Sequence, residues 1–230
     1  MKTEINSALV KEYGIDAGAN VVGISASADF GHAPDGFKPA DVLENCRSVI
    51  VLGAAFSCEA LSMNPPEYTE LRNTFVTKAT EMAKAIAKRI TKESGYKAKA
   101  ISATGGKTID GKFCGQISLK HAAEFAGLGI ITRNYLLTSP EYGNRLWLSA
   151  VLTDAELTPD EKIKIDYCEN CNKCVEACPV GALNDLALFG KKECGKFFAI
   201  ENKKLVIKCF RCRSVCPYRF GKIKEGTVEA

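Results

Sequence analysis

The chain lacks several features that common protein classes require. None of its apolar runs approaches about 20 residues, the length that a helix needs to cross a membrane. The first residues, Met1 to Asn6, are too polar for a secretory signal peptide, so we expect a cytoplasmic protein without disulfide bonds. There are two histidines, His32 and His121, and neither lies in the last third of the chain.

Two nucleotide-binding motifs are also missing. Gly106–Thr108 is similar to the end of a phosphate-binding loop, but Ile101 stands where the first glycine of that loop is required. No Gly-x-Gly-x-x-Gly follows a predicted strand, and Gly127–Gly129 is too short for this fingerprint. The sequence therefore argues against both of these phosphate-binding sites.

Cysteine is abundant, with 11 residues, and eight of them lie in the last third of the chain. Residues Cys168–Pro179 have the pattern C-x2-C-x2-C-x3-C-P, the full spacing of bacterial two-cluster ferredoxins. Residues Cys209–Pro217 keep only C-x2-C-x3-C-P, because Val206 stands where the first cysteine of this second run is required. Cys194, upstream in the sequence, is the obvious substitute.

This arrangement predicts two [4Fe–4S] clusters with crossed ligation, because the fourth cysteine of such a run serves the other cluster. Successive thiolates in a short loop reach adjacent corners of one cube, and the last ligand comes from elsewhere in the fold. Structural zinc prefers two separated cysteine pairs, often with histidine, and fits this pattern less well. The predicted ligands are Cys168, Cys171, Cys174 and Cys216 for the first cluster, and Cys178, Cys194, Cys209 and Cys212 for the second.

Positive charge is concentrated in the same region. Residues 161–230 hold 14 Lys and Arg against 9 Asp and Glu, whereas residues 1–160 hold 17 against 18. A basic segment can bind RNA, but eight cluster thiolates would offset most of this excess. The charge is better explained as compensation for the clusters, and it gives little support to RNA binding.

Helical and extended patterns alternate before the cysteines. The clearest helix follows Pro65 and Pro66, where apolar residues recur every three or four positions up to a stop at Gly95. Apolar runs at 21–25 and 48–54 predict buried strands, and Ser118 to Phe125 predicts a short helix. The predicted fold class is α/β (α+β), with an α/β domain over residues 1–160 and a ferredoxin-like two-[4Fe–4S] domain over residues 161–230.

Three stretches, joined to the cluster pattern, resemble the epoxyqueuosine reductase family and the related reductive dehalogenases. They are Gly18–Ile24, Val42–Val51 and Ala126–Asp154, the last with AGLG at 126–129 and RNYLLTSPEYG at 133–143. The resemblance spans nearly the whole chain. It implies a nitroreductase-like α/β domain, a corrinoid (a cobalamin) between the two domains, and clusters that reduce the cobalt.

The resemblance implies an iron–sulfur oxidoreductase whose clusters receive low-potential electrons from a donor such as a ferredoxin or flavodoxin. Nitroreductase-like domains often dimerise, so a homodimer is a further expectation. Candidates for proton transfer are Asp110, Tyr135 and His121, although His121 is also explained as a partly buried helical histidine. The predicted corrinoid-binding residues are Gly127, Gly129, Arg133, Asn134, Leu136, Tyr142, Gly143 and Arg145.

Three departures from the epoxyqueuosine reductases argue against a tRNA substrate. Thr104–Gly115 replaces their Val-Asp-Ser-Ala-Pro-type segment, which carries the expected proton donor, and Thr132 replaces the glycine after AGLG. The helical repeats that help to hold tRNA do not follow the last cysteines. An alternative is therefore an electron-transfer protein that activates a partner, such as a corrinoid protein. Flavin is a further alternative to the corrinoid, and oxygen-sensitive clusters suggest an anaerobic setting.

Overall fold

The computed structural model describes residues 3–104, 106–109, 112–185, 190–201 and 204–222, and the chain divides into two compact units. The cysteine unit takes two segments from the part of the chain that the sequence assigns to the first domain, residues 1–160. The sheet unit comprises Met1–Ala55, Phe75–Gly129 and Trp147–Ile163, and the cysteine unit comprises Phe56–Thr74, Ile130–Leu146 and Lys164–Ala230.

The helices are short except for α3. None in the described part of the chain is both long and apolar enough to span a membrane. The helices are α1 (Ser7–Asp16), α2 (Pro39–Val42), α3 (Pro65–Ser94), α4 (Leu119–Phe125), α5 (Lys173–Glu176), α6 (Lys191–Gly195) and α7 (Arg211–Ser214). The strands are β1 (Val21–Ala26), β2 (Ser48–Ala55), β3 (Ala98–Ile101), β4 (Gly106–Ile109), β5 (Lys112–Gly115), β6 (Ile130–Ile131), β7 (Leu137–Thr138), β8 (Leu146–Thr153), β9 (Phe198–Glu201) and β10 (Lys204–Ile207).

A four-stranded sheet with the order β1-β2-β8-β3 forms the centre of the sheet unit. β1 pairs with β2, and β3 with β8, in antiparallel register. The N–H of Arg47 donates to Thr153 O, and that of Phe56 donates to Arg145 O, so β2 and β8 also run antiparallel. Every residue of β2 is buried, which explains its continuous apolar run.

Helices cover both faces of this sheet. Ile50 and Leu52 of β2 belong to the main core, together with residues of α1 and α3. Val51, which points to the opposite face, is also fully buried. On that face α4 packs against β1 and β2, and a Cβ at Gly23 would lie 2.4 Å from Ala126 O. The predicted α/β fold class is therefore confirmed, with an antiparallel sheet between helical layers.

The predicted long helix is confirmed as α3. Asn64 and Glu67 form a capping box. The Asn64 N–H donates to the Glu67 carboxylate at 3.1 Å, and the Glu67 N–H donates to the Asn64 side-chain oxygen at 3.0 Å. Pro65 occupies the first helical position, where its missing N–H has no cost. The predicted apolar stripe is buried at Tyr68, Ala79, Met82, Ile86 and Ile90 and is half-buried at Leu71 and Phe75.

Replacement of Ile86 by alanine is expected to lower the free energy of unfolding by about 2–5 kcal/mol. Ile86 is 1% exposed in the main core, so the shorter side chain leaves a cavity that close-packed neighbours cannot fill. Urea denaturation followed by circular dichroism measures the change. Lys88→Ala, on the exposed side of the same helix, is the matched control and should change stability by less than about 0.5 kcal/mol. Equal effects of the two variants would contradict this core assignment.

Two local features complete the sheet unit. Helix α1 begins at Ser7 because the Asn6 side chain caps it by accepting the Leu9 N–H at 2.9 Å. The glycine-rich segment Thr104–Gly115 contains the antiparallel strands β4 and β5. Asp110, a candidate for proton transfer, lies outside the described residues.

Candidate metal centre

The two cysteine motifs adopt matching local structures in the cysteine unit. In each, a four-residue helix contains the middle cysteine of the shared C-x2-C-x3-C spacing, because α5 carries Cys174 and α7 carries Cys212. Each turn then closes with a backbone hydrogen bond, from Cys178 N–H to Val175 O and from Cys216 N–H to Arg213 O. The similar spacing therefore produces two similar loops, each ended by a Cys-Pro pair.

The first predicted ligand set converges on one small cavity. Cys168, Cys171 and Cys174 line it together with Cys216 from the second motif. The other lining residues are Thr132, Asn134, Tyr167, Pro217 and Tyr218. Burial raises the pKa of the Cys174 thiol, and the neighbouring Cys168, Cys216 and Cys171 raise it further. Tertiary folding thus brings together the four thiols that the crossed pattern predicts for one cluster.

The second predicted ligand set also consists of neighbours. Burial raises the pKa of the Cys194 thiol, and the nearby thiols of Cys178 and Cys209 raise it further. The pKa of Cys212 is raised to about 11, mainly by burial and further by Cys194 and Cys209, while the positive charge of Arg213 lowers it. The four cysteines predicted for the second cluster therefore interact with one another.

A hairpin explains how Cys194 replaces the missing cysteine at position 206. Val206 lies in β10 and pairs with Ala199 of β9, so its side chain belongs to a sheet and not to a cysteine loop. The hairpin continues through a hydrogen bond from Lys208 N–H to Phe197 O at 2.8 Å. This pairing places the turn after Cys194 beside the residue that precedes Cys209.

The first turns of α3 support this hairpin. Thr69 Oγ1 accepts the N–H of Ile207 at 3.0 Å, and the ring of Tyr68 stacks on that of Phe210 with centroids 4.0 Å apart. Both Tyr68 and Thr69 are buried. The helical pattern identified Tyr68 only as a core residue, because spacing along a helix does not show which distant segment a side chain contacts.

Backbone N–H groups point at thiols in both sets. Arg133 N–H donates to Cys168 Sγ at 3.4 Å, and Ala182 N–H donates to Cys178 Sγ at 3.3 Å. The Arg133 guanidinium also donates to Cys171 O at 2.8 Å and to the Asn172 side chain. Hydrogen bonds of this kind stabilise thiolate ligands and raise the potential of a bound cluster.

Two of the predicted corrinoid-binding residues, Asn134 and Arg145, make hydrogen bonds within the cysteine unit. Buried Asn134 donates from Nδ2 to Cys212 O at 3.2 Å, while its Oδ1 accepts the Leu136 N–H at 3.1 Å and the Thr132 hydroxyl at 2.9 Å. Arg145, 1% exposed, donates to Phe56 O at 2.6 Å and to Phe220 O at 3.2 Å. These side chains therefore link distant segments of the cysteine unit by hydrogen bonds to backbone carbonyls.

The remaining predicted site residues lie in several places. Gly127 follows α4, where a Cβ would lie 2.3 Å from Glu161 O, and Gly129 ends that segment of the sheet unit. Tyr135 has a positive φ of 57° and is half-buried, as is Tyr142. The expectation that His121 is partly buried is wrong, because its ring is exposed and lies 2.6 Å from Ser118 Oγ through Nδ1.

The first ligand set suits an iron–sulfur cluster. Four thiols line a shared cavity, as a cube with an iron at separate corners requires. In the second set, the buried positive charge of Arg213, 7% exposed, lies beside Cys212, which suits a cluster of net negative charge.

Replacement of Arg133 by alanine is expected to speed iron loss from the first ligand set by about tenfold. The variant loses the guanidinium bonds to Cys171 O and Asn172, worth about 1.5 kcal/mol or more, while its backbone N–H still reaches Cys168. Bleaching of the iron–sulfur absorbance by an excess of chelator gives the rate. Lys173→Ala removes an exposed cation from the same loop and should leave the rate unchanged. Similar rates for all three proteins would show that Arg133 does not hold the loop.

A family model agrees with the cysteine pattern. Residues 162–184 match the model of a 4Fe-4S binding domain. This segment contains the first motif and the N-terminal end of the cysteine unit's last segment. The chain therefore carries an iron–sulfur domain.

Curated relatives share a name. The epoxyqueuosine reductase of Bacillus subtilis (strain 168) is 33% identical over 119 residues, which is 47% of this chain and 31% of that protein. The epoxyqueuosine reductase of Lactococcus garvieae (strain Lg2) is 27% identical over 198 residues, which is 80% of this chain and 55% of that protein. The matched part thus spans about a third to a half of these relatives.

Solved structures share the fold. The epoxyqueuosine reductase of Streptococcus thermophilus aligns with a TM-score of 0.69 at 19% identity, over 96% of this chain and 68% of that one. A reductive dehalogenase described as B12-dependent aligns with a TM-score of 0.71 at 21% identity, over 95% of this chain and 32% of that one. An epoxyqueuosine reductase bound to a modified tRNA stem loop aligns with a TM-score of 0.62 at 18% identity, over 92% of this chain and 64% of that one. The predicted resemblance is confirmed: this chain is related in sequence to epoxyqueuosine reductases and has the fold that they share with reductive dehalogenases.

Proposed function

We propose that this protein is a reductase that binds two [4Fe–4S] clusters in crossed ligation and passes electrons singly to a low-potential acceptor. The observation that carries the proposal is the cavity where Cys216, from the second motif, joins Cys168, Cys171 and Cys174. Such a cluster, when bound, supplies one-electron chemistry. The chain's own residues supply the thiolates, the N–H donors and the buried positive charge.

The two ligand sets are neighbours in the cysteine unit. Helices α5 and α7, which carry Cys174 of the first set and Cys212 of the second, are in contact. We therefore propose that one cluster receives the electron and the other delivers it to the acceptor.

We propose a corrinoid as the acceptor. Support comes from the fold, which this chain shares with a B12-dependent reductive dehalogenase, and from the two-cluster arrangement, which suits a strongly reducing acceptor. Arg133 and Asn134 donate to carbonyls of the cysteine loops, so we propose that these two residues support the clusters. Flavin is the competing cofactor.

The test is anaerobic purification and reconstitution with iron, sulfide and cobalamin, followed by iron, cobalt and flavin assays. The proposal expects about eight iron atoms per chain and a corrinoid spectrum that co-elutes with the protein. A protein with iron but with no affinity for cobalamin would rule out the corrinoid acceptor. Flavin that co-elutes with the protein would identify that cofactor in its place.

Substrate assays then separate an enzyme from an electron-transfer protein. The relatives are epoxyqueuosine reductases, and one solved example holds a tRNA stem loop, so an epoxyqueuosine-containing stem loop is the first substrate to test. Reduction of the modified base by the loaded protein would establish a tRNA reductase. Transfer of electrons to a separate corrinoid protein, without turnover of the stem loop, would favour the electron-transfer function.

A further inference from the structure

A buried guanidinium lies beside one of the two ligand sets. Arg213 follows Cys212 in α7 and is 7% exposed. Its Nη1 donates to Asn144 O, and its guanidinium lies 5.3 Å from the centroid of the Phe56 ring. In return Asn144 Nδ2 donates to Arg213 O at 3.1 Å. The side chain is thus held in one position by a reciprocal pair of hydrogen bonds and an aromatic face.

The surroundings of Arg213 leave its charge available to the thiols. Within the described part of the chain, its contacts are with a carbonyl, an aromatic ring and the neighbouring cysteine, and no carboxylate forms an ion pair with it. Burial of an uncompensated cation is costly, and solvent screens a buried charge much less than an exposed one.

The arginines near the first ligand set are placed differently. Arg133 and Arg219 are half-buried, and their guanidinium groups donate to the carbonyls of Cys171 and Cys216, at 2.8 and 3.1 Å. Partial exposure allows water and salt to screen them. Both sets receive a backbone N–H at sulfur. Arg145 is also buried, but its guanidinium donates to Phe56 O and Phe220 O, whereas Arg213 directly follows a ligand of the second set in α7.

We propose that Arg213 selectively raises the reduction potential of the cluster held by Cys178, Cys194, Cys209 and Cys212. This inference rests on the proposed crossed ligation. Reduction adds one electron to the cluster and therefore one negative charge, with no bond made or broken. A fixed cation beside Cys212 stabilises this added charge, so the electron resides preferentially on the second cluster.

The experiment is a redox titration of the anaerobically reconstituted full chain, followed by electron paramagnetic resonance. Arg213→Gln removes the charge but keeps a donor for Asn144 O, and Arg213→Lys keeps the charge. Cys194→Ser alters a ligand of the second cluster alone and identifies its signal. Arg219→Gln is the control near the first cluster.

Arg213→Gln is expected to weaken electron binding by the second cluster about tenfold, equivalent to a potential about 59 mV more negative, and to leave the first cluster unchanged. Arg213→Lys should retain most of the wild-type potential, and Arg219→Gln should not shift the second cluster. An unshifted second cluster in Arg213→Gln, or equal shifts of both clusters, overturns the proposal. So does loss of iron from both Arg213 variants, which would make Arg213 an assembly residue. If the wild-type chain itself bound only one cluster, the crossed ligation would fail instead.

Discussion

Replacement of Cys216 by alanine is expected to lower the iron content from about eight to about four atoms per chain. Cys216 is buried in the cavity lined by Cys168, Cys171 and Cys174, and no other described cysteine lines it. The first cluster should therefore fail to assemble, although its other three ligands are intact and lie in a different motif. Iron assay and Mössbauer spectroscopy of the anaerobically reconstituted variant measure the loss.

Two further variants make this test specific. Cys178→Ala should remove the other cluster, although Cys178 belongs to the first motif, because its thiol lies near that of Cys194. Cys114→Ala, which changes a half-buried cysteine in β5 of the sheet unit, should keep about eight iron atoms. If Cys216→Ala lost the same cluster as Cys194→Ser, the ligation would follow the motifs in sequence order and the crossed assignment would be wrong.

Replacement of Gly143 by alanine is expected to destabilise the cysteine unit by about 3 kcal/mol. Gly143 has a φ of +58°, and a Cβ there would lie 2.2 Å from Arg219 O and 2.4 Å from Tyr218 O. These carbonyls belong to the loop that follows Cys216, so the added methyl group forces that loop away. The variant should lose the first cluster at a lower urea concentration than the wild-type protein, as measured by the iron–sulfur absorbance.

Gly195 provides the matched control. It ends α6 in the same unit, and a Cβ there would meet no atom within 4 Å. Gly195→Ala should therefore be neutral or stabilising by up to about 1 kcal/mol, because alanine loses less backbone entropy on folding. A Gly143→Ala protein as stable as Gly195→Ala would mean that the approach of residue 143 to the cysteine loop is looser than the structure has it.

The local elements of the sheet unit were largely predictable. Periodicity located α3 and β2, because burial of one face or of both faces leaves a pattern in the sequence itself. The strands β4 and β5 were missed, since a glycine-rich segment carries no such pattern. The burial of His121 was predicted wrongly, because helix position alone does not show which face meets solvent.

The candidate site was likewise predictable in part from the sequence. Cysteine spacing indicated the four thiols that line one cavity, and the assignment of ligands to two clusters stays a prediction. It also singled out Cys194, but the reason appears only in the structure, where Val206 pairs with Ala199 in a hairpin. Arg133 and Asn134, two of the residues that the resemblance implies for corrinoid binding, make contacts with the cysteine loops, and their role toward a corrinoid stays a prediction.

The sequence by itself determined the class of chemistry, since the cysteine runs specify iron–sulfur ligation and the surrounding stretches specify a relationship to epoxyqueuosine reductases. Only the tertiary structure decided what surrounds the thiols. The buried charge of Arg213, the close approach of Gly143 and the bonds of Arg145 join segments that are far apart in the chain. The two arginines bond to distant carbonyls because buried polar groups need hydrogen-bond partners. No local sequence pattern shows which distant segment supplies the partner or approaches the glycine.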